Sequence, residues 1–472
     1  MKSATIAPKN YSAKGFESLY DEVRVDSLPI DGEFPAWLTG SLLRTGPARW
    51  EVGERTMNHW FDGFAMLHRF GFGDGEGKVS YANRFLQSKA YRAAEATGEI
   101  VYSEFATDPC RSLFGRISSI FSPKLSDNAN VNLTKLGERF ITMTETPIPV
   151  QFDAKTLDTA GVAYAVPGLL TTAHPHLDRA DGGMLNYAAK VGPRNSYRFF
   201  HLGPEQEKPD VIASLPVAKP AYMHSFGLTE RHFVLAEFPY VVNPIKIPTS
   251  GRPYIENYEW KPELGTRFTL IDRRTGETTG PFHTDPVFGF HHVNSYEEDG
   301  VVVADICTFP DAQIVQDLYL ENLRAGKPVA EPEVRRFRID PGAGTVSNER
   351  LTDIGFDLPR INYGRCNERP YRYAWGLGTG DTGWIDRIVA ADVSNGSCST
   401  WEEDGCYPGE PVFVSRPGAE DENDGVLLSI VLDSEKGTSF LLALDAADLS
   451  ELARAEAPHH IPFGFHGQYA RA

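Results

Sequence analysis

Five stretches decide the fold: FDAKTLDTAG at 152–161, IDRRTGETTG at 271–280, IDPGAGTVS at 339–347, ADVSNGS at 391–397 and LDAADLSE at 444–451. Each sets an apolar residue before an aspartate and then a polar turn. That pattern reads as the end of one strand and the hairpin into the next, with the carboxylate free to accept the turn's backbone amides. Asp153, Asp272, Asp340, Asp392 and Asp445 follow one another at 119, 68, 52 and 53 residues. Most of these steps match one four-stranded propeller blade with its loops. Seven blades in 472 residues would allow about 67 each. Asp at a strand end is also common in other β proteins, so the repeat alone supports an all-β chain and suits a propeller.

Short β-rich runs bounded by turn residues recur between these points, at 139–144 (RFITMT), 233–242, 301–309, 425–433 and 439–445. Helical periods are scarce, and 318–325 (LYLENLRA) is the best of them. The 43 Gly and 33 Pro are spread along the whole chain, so no linker divides it and 1–472 reads as a single domain. Hydrophobic residues at 41% and charged ones at 23% belong to a globular protein and exclude disordered and collagen-like classes. Lys+Arg 46 against Asp+Glu 64 gives −18, a field that repels phosphate and argues against nucleic acid as a partner. Cys110, Cys307, Cys366, Cys398 and Cys406 are scattered without a CxxC pair, which points away from a zinc ribbon and towards a reducing compartment such as the cytoplasm. No run approaches the ~18 apolar residues of a membrane span, so the chain reads as soluble or peripheral on a membrane.

The chemistry lies in the histidines. His174 in TTAHPHLD, His224 in AYMHSFGLT, His291 in FGFHHVNSY and His466 in FGFHGQY sit in apolar, aromatic or glycine-bearing contexts, 50, 67 and 175 residues apart. Ligands so separated need a closed scaffold whose elements converge on an axis, as a propeller's inner strands do. Neutral imidazole suits Fe, Zn or Cu, while a satisfied structural role is the commoner fate of any one such histidine.

The motifs LLRTGPARWEVGE, HWFDGFAMLHRF, TTAHPHLD, AYMHSFGLT, FHHVNSYEEDG, INYGRCNERPYRYAWGLG, EPVFVSRPGAEDENDGVLLSIVLD and IPFGFHGQY, in order from about residue 42 to 469, resemble the carotenoid cleavage oxygenase family. The resemblance implies a seven-bladed β-propeller, a lid of loops and short helices over an axial iron site, and a non-haem Fe(II) cofactor. The implied reaction cleaves a conjugated C=C bond of a carotenoid or apocarotenoid with O2 into two carbonyl products. A stilbene-cleaving oxygenase and a retinyl-ester isomerohydrolase are the alternatives on the same scaffold. No G-x-G-x-x-G fingerprint suggests a nicotinamide partner.

Carried onto this sequence, the resemblance makes His174, His224, His291 and His466 the iron ligands. His174 is chosen over His176 because it precedes the proline of AHPH, and His291 over His292 because it follows the Phe of FHHVN. Glu145 would orient His224, Asp357 would orient His291 and Glu410 would orient His466, since a carboxylate that accepts the second ring N–H fixes a ligating imidazole. Asp357 departs from the family's usual Glu. Being one methylene shorter, it needs either a closer backbone or a bridging water. The resemblance also places Phe61, Tyr91, Phe105, Thr144, Tyr222, Phe309 and Phe465 along an apolar tunnel for the polyene. Relatives that cleave hydroxystilbenes carry Lys at the position of Thr144, so its absence favours a carotenoid substrate. Segment 109–123 sets Leu113, Phe114, Ile117, Ile120 and Phe121 on one helical stripe where animal relatives dip into a membrane.

Overall fold

The computed structural model describes residues 11–73, 77–108, 125–191 and 194–472. They form seven antiparallel sheets of four or more strands, the blades of a propeller. The ring is closed by its two ends. The C-terminal strand Gly467–Arg471 lies beside Gly40–Arg49, pairing Arg44 with Gly467 and Gly40 with Arg471, and Phe64–Phe72, Val79–Phe85 and Arg24–Val25 complete this first blade. From axis to rim, the second blade runs Asn132–Leu136, Arg139–Met143, Val150–Phe152 and Thr159–Val162. In the third, Leu170–Thr171 and His176–Leu177 share the neighbour Met184–Lys190, followed by Ser196–Leu202 and Asp210–Pro216. The fourth is Gly227–Leu228, His232–Glu237, Thr266–Asp272 and Thr278–Thr284. The fifth is His292–Glu298, Val301–Thr308, Glu333–Asp340 and Thr345–Arg350. The sixth is Asp357–Arg360, Tyr373–Thr379, Ile385–Asp392 and Ser397–Glu402. The seventh sets Cys406–Pro408 and Val412–Ser415 against Gly425–Asp433, then Thr438–Asp445, Glu451–Glu456 and Ile30–Gly32.

The five aspartates all stand just at or after the end of the third strand of a blade, where their carboxylates hold the turn. Asp153 Oδ1 accepts from the amides of Lys155 and Thr156, both at 2.8 Å, and Asp272 Oδ1 from Arg274 and Thr275 at 2.9 and 3.0 Å. Asp340, Asp392 and Asp445 do the same for Ala343, Ser394 and Ala447. The long interval between Asp153 and Asp272 spans the third blade, whose corresponding strand ends in Leu202-Gly203 and has no such aspartate.

The strand of Gly425–Asp433 is buried throughout, as expected of a second strand covered on both faces by neighbouring blades. Blades meet through aromatic rings: Trp375 of the sixth stacks on Phe413 of the seventh at 4.6 Å and 5°, and Phe268 of the fourth packs on Phe337 of the fifth at 5.1 Å. The run 233–242 divides at Phe238-Pro239, and its second half, Tyr240–Val242, leaves the blade to pair with Tyr258–Trp260. The expected helix at 318–325 is the short Leu320–Arg324, and a second short helix, Gln313–Asp317, precedes it unforeseen. A longer helix, Lys89–Thr97, was not foreseen. Ser88 Oγ caps it by accepting from Tyr91 N at 3.0 Å, and Gly98 at φ 67° ends it. No described helix is long and apolar enough to cross a membrane, and segment 109–123 lies outside the described residues.

Candidate metal centre

Each of the four histidines stands just before an innermost strand, His174 before His176–Leu177, His224 before Gly227–Leu228, His291 before His292–Glu298 and His466 before Gly467–Arg471. Those strands belong to the third, fourth, fifth and first blades, and closure of the ring points all four side chains at the axis. Their rings lie 4.6 to 5.1 Å apart, and one ring nitrogen from each falls within 4.8 Å of the others. His174 Nε2 is 2.9 Å from His224 Nε2, and His291 Nε2 is 3.2 Å from His466 Nε2.

The outer nitrogens of three rings meet carboxylates. His224 Nδ1 donates to Glu145 Oε1 at 2.7 Å, His291 Nδ1 to Asp357 Oδ1 at 2.7 Å and His466 Nδ1 to Glu410 Oε1 at 2.6 Å. Those bonds place the proton on Nδ1 and leave each Nε2 with a bare lone pair. For His291 and His466 two lone pairs then face one another at 3.2 Å with no proton between them, a repulsive arrangement unless a cation sits between. Nitrogens about 3 Å apart are spaced as neighbouring ligands on an ion about 2.0–2.1 Å from each. The residues therefore fit a metal. Burial, followed by the neighbouring imidazoles, holds His174 well below the usual histidine range, and burial pushes His466 down to about 4. Burial likewise lowers His224 although Glu145 opposes it. These shifts hold His174, His224 and His466 in the neutral, ligating form near pH 7.

Asp357 makes its contact directly. Pairing of Asp357–Arg360 with the next strand is irregular between its two ends, and Leu358 adopts φ 51°. The irregularity lies in the strand that carries Asp357, whose carboxylate reaches His291 at 2.7 Å despite its shorter side chain.

On one side of the imidazoles lies an apolar cavity of about 70 Å³, walled by Trp60, Phe61, Phe290, Phe309, Trp384 and Phe465. Ile314 and Leu318, from the short helical stretch and the residue after it, also line it. Of the expected wall residues, Phe61, Phe309 and Phe465 line this cavity. Phe105 packs behind Phe61 at 5.1 Å and near Tyr222 at 6.0 Å. Tyr222 is buried and donates its hydroxyl to Glu145 Oε1 at 2.7 Å, so it braces the carboxylate. Tyr91 stacks on Phe85 at 4.7 Å and meets Phe64 edge-on, within the core beside the first blade and apart from the cavity lining. Thr144 is half-buried and is not part of that lining.

Phe290 was missed, although FGFH occurs at both 288–291 and 463–466 and the second copy had supplied Phe465. Arg44 and Arg360, both beside Glu410, were missed as well. Arg360 Nη2 donates to Glu410 Oε2 at 2.8 Å, and Arg44 donates to the carbonyls of Glu410 and Phe465. Burial alone would raise the Glu410 carboxyl, but Arg360 and then His466 hold it well below the usual carboxylate range.

Residues 16–471 match the family described as Retinal pigment epithelial membrane protein. The chain is 35% identical to the mitochondrial carotenoid-cleaving dioxygenase of Macaca fascicularis, over 94% of this chain and 91% of that protein. It is 36% identical to the beta,beta-carotene 15,15'-dioxygenase of Mus musculus, over 93% and 88%. A mutant of the Synechocystis apocarotenoid oxygenase superposes with a TM-score of 0.88 at 26% identity, covering 99% of each chain. The cobalt-substituted form of that enzyme gives 0.87 at 25%. A propeller with four axial imidazoles beside an apolar cavity defines the class, and the chain belongs to the iron-dependent carotenoid oxygenase family.

Proposed function

We propose that this protein is a non-haem Fe(II) dioxygenase that cleaves one conjugated C=C bond of a carotenoid or apocarotenoid with O2 and releases two aldehyde or ketone products. The observation that carries this reading is the junction of four inward-facing imidazoles with an aromatic-walled cavity. His174, His224, His291 and His466 would hold the iron, and Glu145, Asp357 and Glu410 would fix the tautomer of three of them. Iron bound there supplies the activation of O2 towards an electron-rich alkene. The chain's own part is to hold a flat polyene with one double bond beside the imidazoles, between rings such as Phe61, Phe309 and Phe465, and to keep water away from it. Aromatic faces suit a conjugated chain and can stabilise positive charge developing along it. Among the described residues no Lys or Arg lines the cavity, so nothing there pairs with a phenolate, which favours a carotenoid over a hydroxystilbene.

For location we propose the cytoplasm, in keeping with the free thiols of Cys307, Cys366, Cys398 and Cys406, with peripheral membrane contact through 109–123 giving access to a lipid-borne substrate. Iron-loaded protein incubated briefly with apocarotenals, β-carotene and resveratrol under labelled O2 tests the reaction. Two carbonyl products from the carotenoid, each carrying one labelled atom, are expected. Label in one product only would make the enzyme a monooxygenase, and resveratrol cleaved as fast as the best carotenoid would overturn the substrate class.

A further inference from the structure

The three imidazole–carboxylate pairs differ in what holds the carboxylate. On Glu145 a single oxygen, Oε1, takes both the His224 ring N–H and the Tyr222 hydroxyl. Asp357 has the buried Cys307 thiol beside it. Glu410 has a cation. Its Oε1 takes His466, while Oε2 takes Arg360 Nη2 at 2.8 Å and the Gly467 amide at 2.9 Å. The same Nη2 also donates to the Gly467 carbonyl, so one guanidinium nitrogen ties the carboxylate to the main chain just after the histidine.

Arg360 ends the four-residue inner strand that Asp357 begins. In a regular strand residues three apart point to opposite faces. The bulge and the φ of 51° at Leu358 remove that alternation, and both end residues reach the imidazole layer. We propose that Arg360 is a positioning residue for the metal: it fixes His466 through Glu410, so that the single strand Asp357–Arg360 orients two of the four imidazoles. Arg44 backs the arrangement from the first blade, donating to the carbonyl of Glu410 at 3.2 Å and of Phe465 at 2.9 Å. The inference rests on the four histidines being the metal site.

The test measures Co(II) affinity by chelator competition and the visible absorption of the Co(II)-loaded protein for wild type, Arg360→Gln, Arg360→Lys, Glu410→Gln and the Arg360→Gln/Glu410→Gln double variant, with circular dichroism as the check of folding. Loss of a residue that orients a ligand typically weakens metal binding about 10- to 100-fold. Arg360→Gln should fall in that range with shifted absorption bands, Arg360→Lys should recover part of the loss, and the double variant should bind no more weakly than Glu410→Gln, because the two act through one contact. A folded Arg360→Gln with wild-type affinity and spectrum, or a double variant whose loss is the product of the two single losses, overturns the inference alone. Should Arg360→Gln fail to fold, the same comparison with Arg360→Lys and its double variant decides. Wild-type protein that holds no Co(II) overturns the inference together with the metal site beneath it.

Discussion

The imidazole layer separates two unlike regions. Its upper side is the tight cavity of about 70 Å³ walled by phenylalanine and tryptophan. On the other side a larger pocket of about 540 Å³ with mixed walls reaches His174, His291 and His466, lined by Asn132, His176, His292 and Arg360 together with apolar residues such as Phe226 and Val412. The contrast separates the four candidate ligands from the histidines beside them. His176 and His292, the second members of the two pairs, lie on this wider side, where His176 bonds through both ring nitrogens and His292 through Nδ1, its Nε2 being buried without a partner among the described residues. His176 bonds the Phe226 carbonyl and the Tyr363 hydroxyl at 3.0 and 3.1 Å, and His292 bonds Ser225 Oγ at 2.8 Å. The four axial rings lie between the two regions, with their Nε2 atoms facing one another.

The largest effect expected from breaking this division is loss of the metal. His174→Ala, His224→Ala, His291→Ala and His466→Ala should each take iron from one per chain towards none, while His176→Ala and His292→Ala keep it. Metal analysis of the six purified variants is sufficient, and iron lost from His176→Ala but kept in His174→Ala would reverse the assignment of that pair. Next in size are the carboxylates. Glu145→Gln and Glu410→Gln should reduce metal affinity or turnover about 10- to 100-fold while the circular dichroism stays unchanged.

The two kinds of site residue differ in how far they could be read from the chain. The turn aspartates were legible because each works within three residues of itself, as Asp153 does on Lys155 and Thr156. The four histidines were picked out because the motifs around them resemble a known family. Arg360 meets Glu410 across 50 residues and Arg44 meets it across 366, and no local pattern records such pairings. Tyr91 shows the opposite case: placed along the tunnel by resemblance, it packs on Phe85 and Phe64 apart from the lining of the 70 Å³ cavity, and an apolar ring satisfies either place equally well.

A smaller effect concerns Asp357. A water-bridged contact would make Asp357→Glu neutral or beneficial. The direct bond at 2.7 Å means that an added methylene has to displace the carboxylate or the main chain, and overpacking of this kind costs about 1–3 kcal/mol. Asp357→Glu should therefore lower the melting temperature and weaken metal binding. Wild-type values in both measurements would show that the bulge relaxes to admit the longer side chain.

The smallest effect is expected at Thr144, and it asks whether this residue belongs to the apolar side at all. If it faced the substrate, Thr144→Lys would supply a charge-assisted partner for a phenol, worth about 1.5–3 kcal/mol. Thr144 instead lies outside the cavity lining and immediately precedes Glu145. A lysine there can turn its ammonium to the Glu145 carboxylate and compete with His224 for it. The expected outcome is a slight loss of carotenoid turnover and less than a tenfold rise in the ratio of resveratrol to carotenoid kcat/KM. A rise of a hundredfold or more would mean that the side chain reaches the bound substrate, and would extend the cavity beyond Phe61 and Phe309 to the segment that carries Glu145.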